Sequence, residues 1–188
     1  MKKNKVILYV IYLFTALGLI ALDQYSKILA INHLKNKESI AIFKNIFELS
    51  YVENKGAAYG MLSGKINLFL IITFILVPVI IYSIYKISCI IEFFGEKINK
   101  KAFTILQIDL VVIVAGAIGN FIDRVSKGYV VDYFYFKLID FPVFNVADCY
   151  ITVAVIILLI ISVFVLKDKE LDYLMGSKKK WQVEDESK

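Results

Sequence analysis

The sequence predicts an all-α membrane protein, with four transmembrane helices and a small β-containing extracytoplasmic subdomain. Three observations predict it. Hydrophobic residues make up 59% of the chain and mean hydropathy is +0.70, too apolar for an ordinary soluble domain. Four apolar runs, Val6–Leu22, Ile66–Tyr85, Ala102–Ile122 and Cys149–Leu166, fall within the roughly 17–25 residues that cross a bilayer. Between the first two, Phe47, Leu49 and Tyr51 alternate with polar neighbours, the period of a strand or hairpin arm. Residues 1–188 read as one polytopic membrane domain.

Charge sets the orientation. The N-terminal tail, the loop Lys86–Lys101 and the tail after Leu166 hold 13 lysines, against 9 basic residues in the other two loops. Positive residues favour the cytoplasmic side, so both termini are expected there. Lys2, Lys3 and Lys5 before the first run resemble the start of a cleaved leader. However, the run is too long, and Leu22-Asp23-Gln24 offers no small-residue cleavage site, so a retained span is expected. The net charge of +5 needs no nucleic acid, because lysines flanking spans meet anionic headgroups.

Span 1 ends in Asp23-Gln24-Tyr25-Ser26-Lys27. Asp23 and Lys27 have i,i+4 spacing with the acid first, the favoured order. They read either as a solvated helix end or as part of a site. An extracytoplasmic region of about residues 28–65 follows, too long for a bare connector. Its segment Asn54-Lys55-Gly56-Ala57-Ala58-Tyr59-Gly60 reads either as a turn or as an edge that contacts an extended peptide.

Span 2 carries Pro78 and no evident chemistry. The loop after it mixes Glu92, Glu96 and Lys97 with Phe93 and Phe94, as a short interfacial helix does. Span 3 is the most informative. At 100° per residue, Asp109, Gly116, Asn120 and Asp123 fall on one stripe, which belongs toward the bundle interior. Gly116, Ala117 and Gly119 allow close helix packing. Arg124, the one arginine beside 21 lysines, offers a permanently charged fork. The extracytoplasmic loop of about 123–148 is rich in aromatics suited to an interface, and Asp132 sits between Val131 and Tyr133. Asn145 and Asp148 open span 4 with the spacing of a capping box, which is the bland reading of both. Cys89 and Cys149 flank different spans at opposite ends and read as packing residues. A polar cytoplasmic tail of about 167–188 completes the chain.

Under this topology Asp23, Lys27, Asn54, Gly56, Asn120, Asp123, Arg124, Asp132, Asn145 and Asp148 all fall at one membrane face. The composition offers no metal-ligand cluster, phosphate loop or Ser/His pair, and the only histidine is His33. It does offer acids in apolar contexts. Two carboxylates held close share a proton, so that one acts as base toward water and the other as acid toward a carbonyl. Such a pair hydrolyses amides with no cofactor. A transporter would need a polar path to the opposite face, and spans 1, 2 and 4 supply almost none. A scaffold would need no paired acids.

The five segments Asp23–Lys27, Asn54–Gly60, Gly119–Arg124, Gly128–Tyr133 and Phe144–Asp148, in this order on four spans, resemble the bacterial lipoprotein signal peptidases, or signal peptidase II. The resemblance covers about residues 5–166. It implies an aspartic endopeptidase of the bacterial inner membrane, with its active site at the outer face. Such an enzyme removes the signal peptide of prolipoproteins by cutting before a diacylglyceryl-modified cysteine. It further implies a catalytic pair at Asp132 and Asp148. Asp23, Lys27, Asn54, Gly56, Asn120, Asp123, Arg124, Asn145 and Ala147 would shape the site or contact substrate. Prolipoproteins, membrane lipids and the cyclic peptide inhibitor globomycin are the expected partners, and a monomer without cofactor or metal is the expected form. Asp109 lies outside the family pattern.

Overall fold

Four long helices stand side by side, and a three-stranded sheet closes one end of the bundle. The computed structural model describes residues 2–56, 62 and 64–175. The elements are α1 (Lys2–Leu34), β1 (Ile40–Phe43), β2 (Phe47–Asn54), α2 (Ile66–Phe94), α3 (Lys100–Lys127), β3 (Val130–Tyr135), α4 (Val146–Ile160) and α5 (Asp168–Met175). The four helices α1–α4 are long and apolar enough to cross a membrane.

α3 is the central helix. Its apolar stretch is 61% buried, against 11%, 6% and 11% for those of α1, α2 and α4. The outer three therefore present their Val, Ile, Leu and Phe side chains to lipid, and α3 carries the buried polar stripe. Asp109, Gly116, Asn120 and Asp123 are all buried, as the helical period predicts. Gly116 and Gly119 let α4 and α1 close in. A Cβ at Gly116 would lie 2.7 Å from the Ala147 carbonyl oxygen, and one at Gly119 would lie 2.5 Å from Asp23 Oδ2.

The helices outrun their apolar runs. α1 continues past Leu22 to Leu34, so the loop expected from residue 28 begins only after Leu34. The polar residues of this extension form the last turns because Ala30 and Leu34 pack on Val131 and Tyr133 of the sheet. Likewise α3 runs on to Lys127 before Gly128, at φ 78°, ends it. The expected interfacial helix after span 2 is absent. Instead α2 extends to Phe94, and a single 3-10 turn, Gly95–Lys97, leads into α3. The tail also differs from expectation over 168–175. Those residues form α5, whose Tyr173 stacks on Phe94 with ring centroids 3.9 Å apart. Buried Glu170 accepts from the backbone N–H groups of Asn99 (2.7 Å) and Lys167 (2.9 Å). Residues 176–188, the rest of that tail, lie outside the described residues.

The sheet is antiparallel in the order β1-β2-β3. The strand expected within Ile46–Glu53 is β2, paired with β1 on one side and β3 on the other. Phe134 and Phe144 form a further antiparallel bridge through N–H···O bonds of 2.8 and 3.0 Å. That bridge returns the chain beside β3 just before α4 begins, which decides the geometry of the site.

Candidate active site

Asp132 lies on β3 and is buried. The bridge at Phe144 sets Asn145 beside it. Asn145 is the N-cap of α4, in extended conformation at φ −131°. Its side-chain Oδ1 accepts from the Asp148 N–H at 3.1 Å, and its own N–H donates to Asp148 Oδ2 at 3.1 Å. This is the capping box anticipated from the spacing. The box leaves the Asn145 Nδ2 group free to turn outward. It donates to Asp132 Oδ1 at 2.6 Å and to Asn120 Oδ1 at 3.1 Å. Capping and site-building are thus one arrangement, with Asn145 bonded to both acids.

The other oxygen of each acid is also held. Asn54 ends β2, and in the β2–β3 register Val52 faces Asp132 and Asn54 faces Val130. From there Asn54 Nδ2 donates to Asp132 Oδ2 at 2.8 Å. Asn120 Nδ2 donates to Asp148 Oδ1 at 2.8 Å. Burial pushes the Asp132 carboxyl up to about 7, and the neighbouring Asp148 carboxylate adds to that shift. The amides of Asn54 and Asn145 and the charge of Lys27 pull the other way. Desolvation wins because Asp132 sits between the sheet and the bundle, away from water.

Behind the pair lies an ionic cluster. Lys27 is almost fully buried, with its ammonium 2.9 Å from Asp23 and 3.3 Å from Asp123. It also donates to Asn120 Oδ1 at 2.8 Å. Asp23 Oδ1 accepts from the Ala147 N–H at 3.0 Å, which satisfies an open amide in the first turn of α4. Asp123 Oδ2 accepts from the Val131 N–H at 3.1 Å and its Oδ1 pairs with Lys127 at 2.6 Å. Asp23 therefore fixes α4, and Asp123 fixes β3, to one buried cation. Asp123 and Ala147 serve in this backing layer, away from the Asp132 and Asp148 carboxyls.

In front of the pair lies a cavity of about 590 Å³, lined by Asn54, Gly56, Phe69, Asn120, Arg124, Asp132, Asp148, Cys149 and an aromatic wall that includes Phe136, Phe141 and Phe144. Arg124 stands over the Phe69 ring, 4.7 Å from its centroid, and its Nη2 donates to the Gly56 carbonyl at 3.4 Å. The Gly56 N–H in turn donates to Asn54 Oδ1 at 2.9 Å. All eleven residues singled out from the sequence fall in the cavity wall or directly behind it. Residues Ala57, Ala58, Tyr59 and Gly60, expected to form a turn or an edge that contacts an extended peptide, lie outside the described residues.

Sequence reasoning missed several contributors. Phe69 is one apolar residue in an apolar helix, and nothing local marks it. Gln24 donates to Asp23 Oδ2 (3.1 Å) and to the Gly119 carbonyl (3.0 Å). The Tyr133 hydroxyl donates to Ser26 Oγ at 2.6 Å, tying the sheet to α1. Only Lys127, i,i+4 from Asp123, carried a legible signal. Asp109 is buried, and its Oδ2 has no hydrogen-bond partner among the described residues.

Comparison with known proteins assigns the chain to a family. A family model described as Signal peptidase (SPase) II matches residues 15–164. The lipoprotein signal peptidase of Clostridioides difficile is 36% identical over 154 residues, covering 82% of this chain and 95% of that one. The lipoprotein signal peptidase of Caldanaerobacter subterraneus is 43% identical over 144 residues, covering 76% and 89%. A bacterial membrane enzyme solved by the in meso method at 2.3 Å resolution superposes with a TM-score of 0.65 at 32% identity, over 79% of this chain and 85% of that one. A second such structure, at 1.9 Å resolution, gives a TM-score of 0.65 at 31% identity, over 82% and 93%. With four membrane-length helices and these relatives, the chain is a multi-pass membrane protein of the signal peptidase II family, the peptidases that remove signal peptides from prolipoproteins.

Proposed function

We propose that this chain is an aspartic endopeptidase that cuts prolipoproteins just before the lipidated cysteine, with Asp132 and Asp148 as the catalytic pair. The observation that carries the proposal is the bridging of both carboxyls by Asn145, at 2.6 Å to Asp132 and 3.1 Å to Asp148, on the wall of the cavity. One asparagine bonded to both acids holds them as a unit, and burial favours one proton between them.

The chemistry follows from that shared proton. The ionised carboxylate takes a proton from a water whose oxygen attacks the scissile carbonyl carbon. The protonated partner gives its proton to the carbonyl oxygen. Collapse of the tetrahedral adduct breaks the C–N bond, and the dyad returns a proton to the leaving amine. The products are a signal peptide with a new carboxylate and a lipoprotein whose cysteine carries a free amine. Asn54 and Asn120 hold the outer oxygens of the dyad, and Arg124 keeps donors for a substrate carbonyl.

The lysine distribution supports cytoplasmic termini and a cavity at the outer face of the bacterial cytoplasmic membrane. The substrate's acyl chains then stay in lipid while its extended segment enters beside β2. The test is cleavage of a diacylglyceryl-modified prolipoprotein by purified protein, with and without globomycin. Cleavage before the lipidated cysteine that globomycin blocks, and that Asp132→Asn or Asp148→Asn abolishes, is the expected result. Normal processing by either variant would refute the dyad.

A further inference from the structure

Arg124 lines the cavity with little polar contact to hold it there. Its guanidinium is a rigid, planar fork of N–H donors. Among the described residues no carboxylate lies within ion-pair distance of it, because Asp123 pairs with Lys27 and Lys127, and Asp23 with Lys27. Its bond from Nη2 to the Gly56 carbonyl is long, at 3.4 Å. An arginine side chain has much rotamer freedom to lose, and one contact of that length does not fix it.

The stronger hold is a ring. Phe69 lies in the first turn of α2, with its centroid 4.7 Å from the guanidinium carbon. That is inside the roughly 6 Å over which a cation is drawn to an aromatic face. Leu68 and Ile71 beside it are exposed on the outer side of the helix. Phe69 is the only described residue of α2 in the wall that also holds Asp132 and Asp148. Any apolar side chain would line a cavity at this point, but only a ring offers a π face to a cation. The N–H groups of a guanidinium point outward in its own plane, so a cation seated on a ring keeps its donors clear of that ring. Contacts then run from Phe69 to Arg124, to Gly56, to Asn54 and to Asp132.

We propose that Phe69 is a positioning residue, whose ring holds Arg124 so that its free donors meet a main-chain carbonyl of the extended substrate. The inference rests on the peptidase reading and adds to it the residue that sets Arg124. A carbonyl held away from the scissile bond is held alike in the ground and transition states, so the effect falls on KM and not on kcat. The test uses the full chain and a diacylglyceryl-modified prolipoprotein. Phe69→Leu should raise KM about fivefold or more with kcat within about twofold, and Phe69→Tyr, which keeps the ring, should restore the parent value. Phe69→Met is a second ringless variant with the same expected effect. The same changes built on Asp132→Asn give affinities for a fluorescently labelled substrate by anisotropy, with no turnover needed. There Phe69→Leu should weaken binding about fivefold or more, but less than about twofold once Arg124→Gln has removed the cation. Failure of the parent to cleave would sink the peptidase reading. Equal affinity of Phe69→Leu and its Asp132→Asn parent would overturn the inference alone. An undiminished loss in the Arg124→Gln background would overturn it too, by making Phe69 a direct apolar contact of the substrate.

Discussion

Lys27 Nζ donates to Asn120 Oδ1 at 2.8 Å, and that contact decides which way the asparagine amide points. An ammonium only donates, so the Asn120 oxygen must face it and the Nδ2 group must face Asp148. A residue on α1 thus orients the hydrogen bond to Asp148 on α4.

Lys27→Met should remove that orientation and leave Asp23 and Asp123 as buried acids without their cation. Breaking a buried ion pair costs about 3–5 kcal/mol, so the variant should unfold well below the parent in detergent. Adding Asp123→Asn should restore part of the stability, because one uncompensated charge is gone, but should not restore cleavage. Thermal unfolding and peptide cleavage on the same preparations separate the two effects.

In the mechanism proposed above, Asp132→Asn and Asp148→Asn each remove one half of a proton-sharing pair. Turnover should fall by at least about 10²–10⁴-fold, the usual contribution of a positioned acid or base. Asp148→Asn keeps an acceptor for the Asn145 N–H at N3 of α4, so its unfolding temperature should stay within a few degrees of the parent. Single-turnover cleavage with a circular dichroism melt checks both points.

The pH dependence follows from Asp132. Its carboxyl is pushed up to about 7 from an ordinary value of 3.8, first by burial and then by the Asp148 charge. The folded state therefore binds this proton more tightly than the unfolded chain does. The stability it contributes is complete below about pH 4 and is lost as pH rises through about 7. Activity should decline over the same rise, as the shared proton leaves, with an apparent value that belongs to the pair. Asn54→Ala deletes a hydrogen bond that lowers the Asp132 value, so the falling limb should move to higher pH. A kcat/KM profile spanning the Asp132 value of about 7 on both sides reads the shift.

Gly119→Ala should damage the α1–α3–α4 junction. The new Cβ would lie 2.5 Å from Asp23 Oδ2, and Asp23 is tied to both Lys27 and the Ala147 N–H. Overpacking of this kind costs about 1–3 kcal/mol. Gly18→Ala, in α1, meets nothing within 4 Å and should be neutral or slightly stabilising. The pair of melting temperatures tests whether close approach, and not glycine as such, is what matters at Gly119.

Glu170→Ala should loosen α5 and leave the chemistry alone. It removes the acceptor for the Asn99 and Lys167 N–H groups at the far end of the bundle. A loss of about 1 kcal/mol is expected from two part-buried hydrogen bonds removed where water can reach the freed N–H groups, with cleavage per folded molecule unchanged.

Much of this molecule is written in local pattern. The four spans, the β2 arm, the buried stripe of α3, the Asp23/Lys27 pair and the Asn145/Asp148 box all follow from residues within a few positions of each other. At that range, periodicity and hydrogen-bond reach are enough to decide structure. What required the tertiary structure is everything that depends on contacts between distant segments. The polar continuation of α1 to Leu34 is helical because the sheet packs on it. The helix α5 docks because Tyr173 finds Phe94. Phe69 acquires a role only when Arg124 comes to lie over it. Most of all, Asn145 reads as a plain helix cap until the Phe134–Phe144 bridge carries it beside Asp132. Local sequence placed Asp132 among apolar neighbours and Asp148 at the start of a helix, and the closing of the sheet onto the bundle decided that the two would line one cavity, since the atoms that join them come from parts of the chain no short-range rule connects.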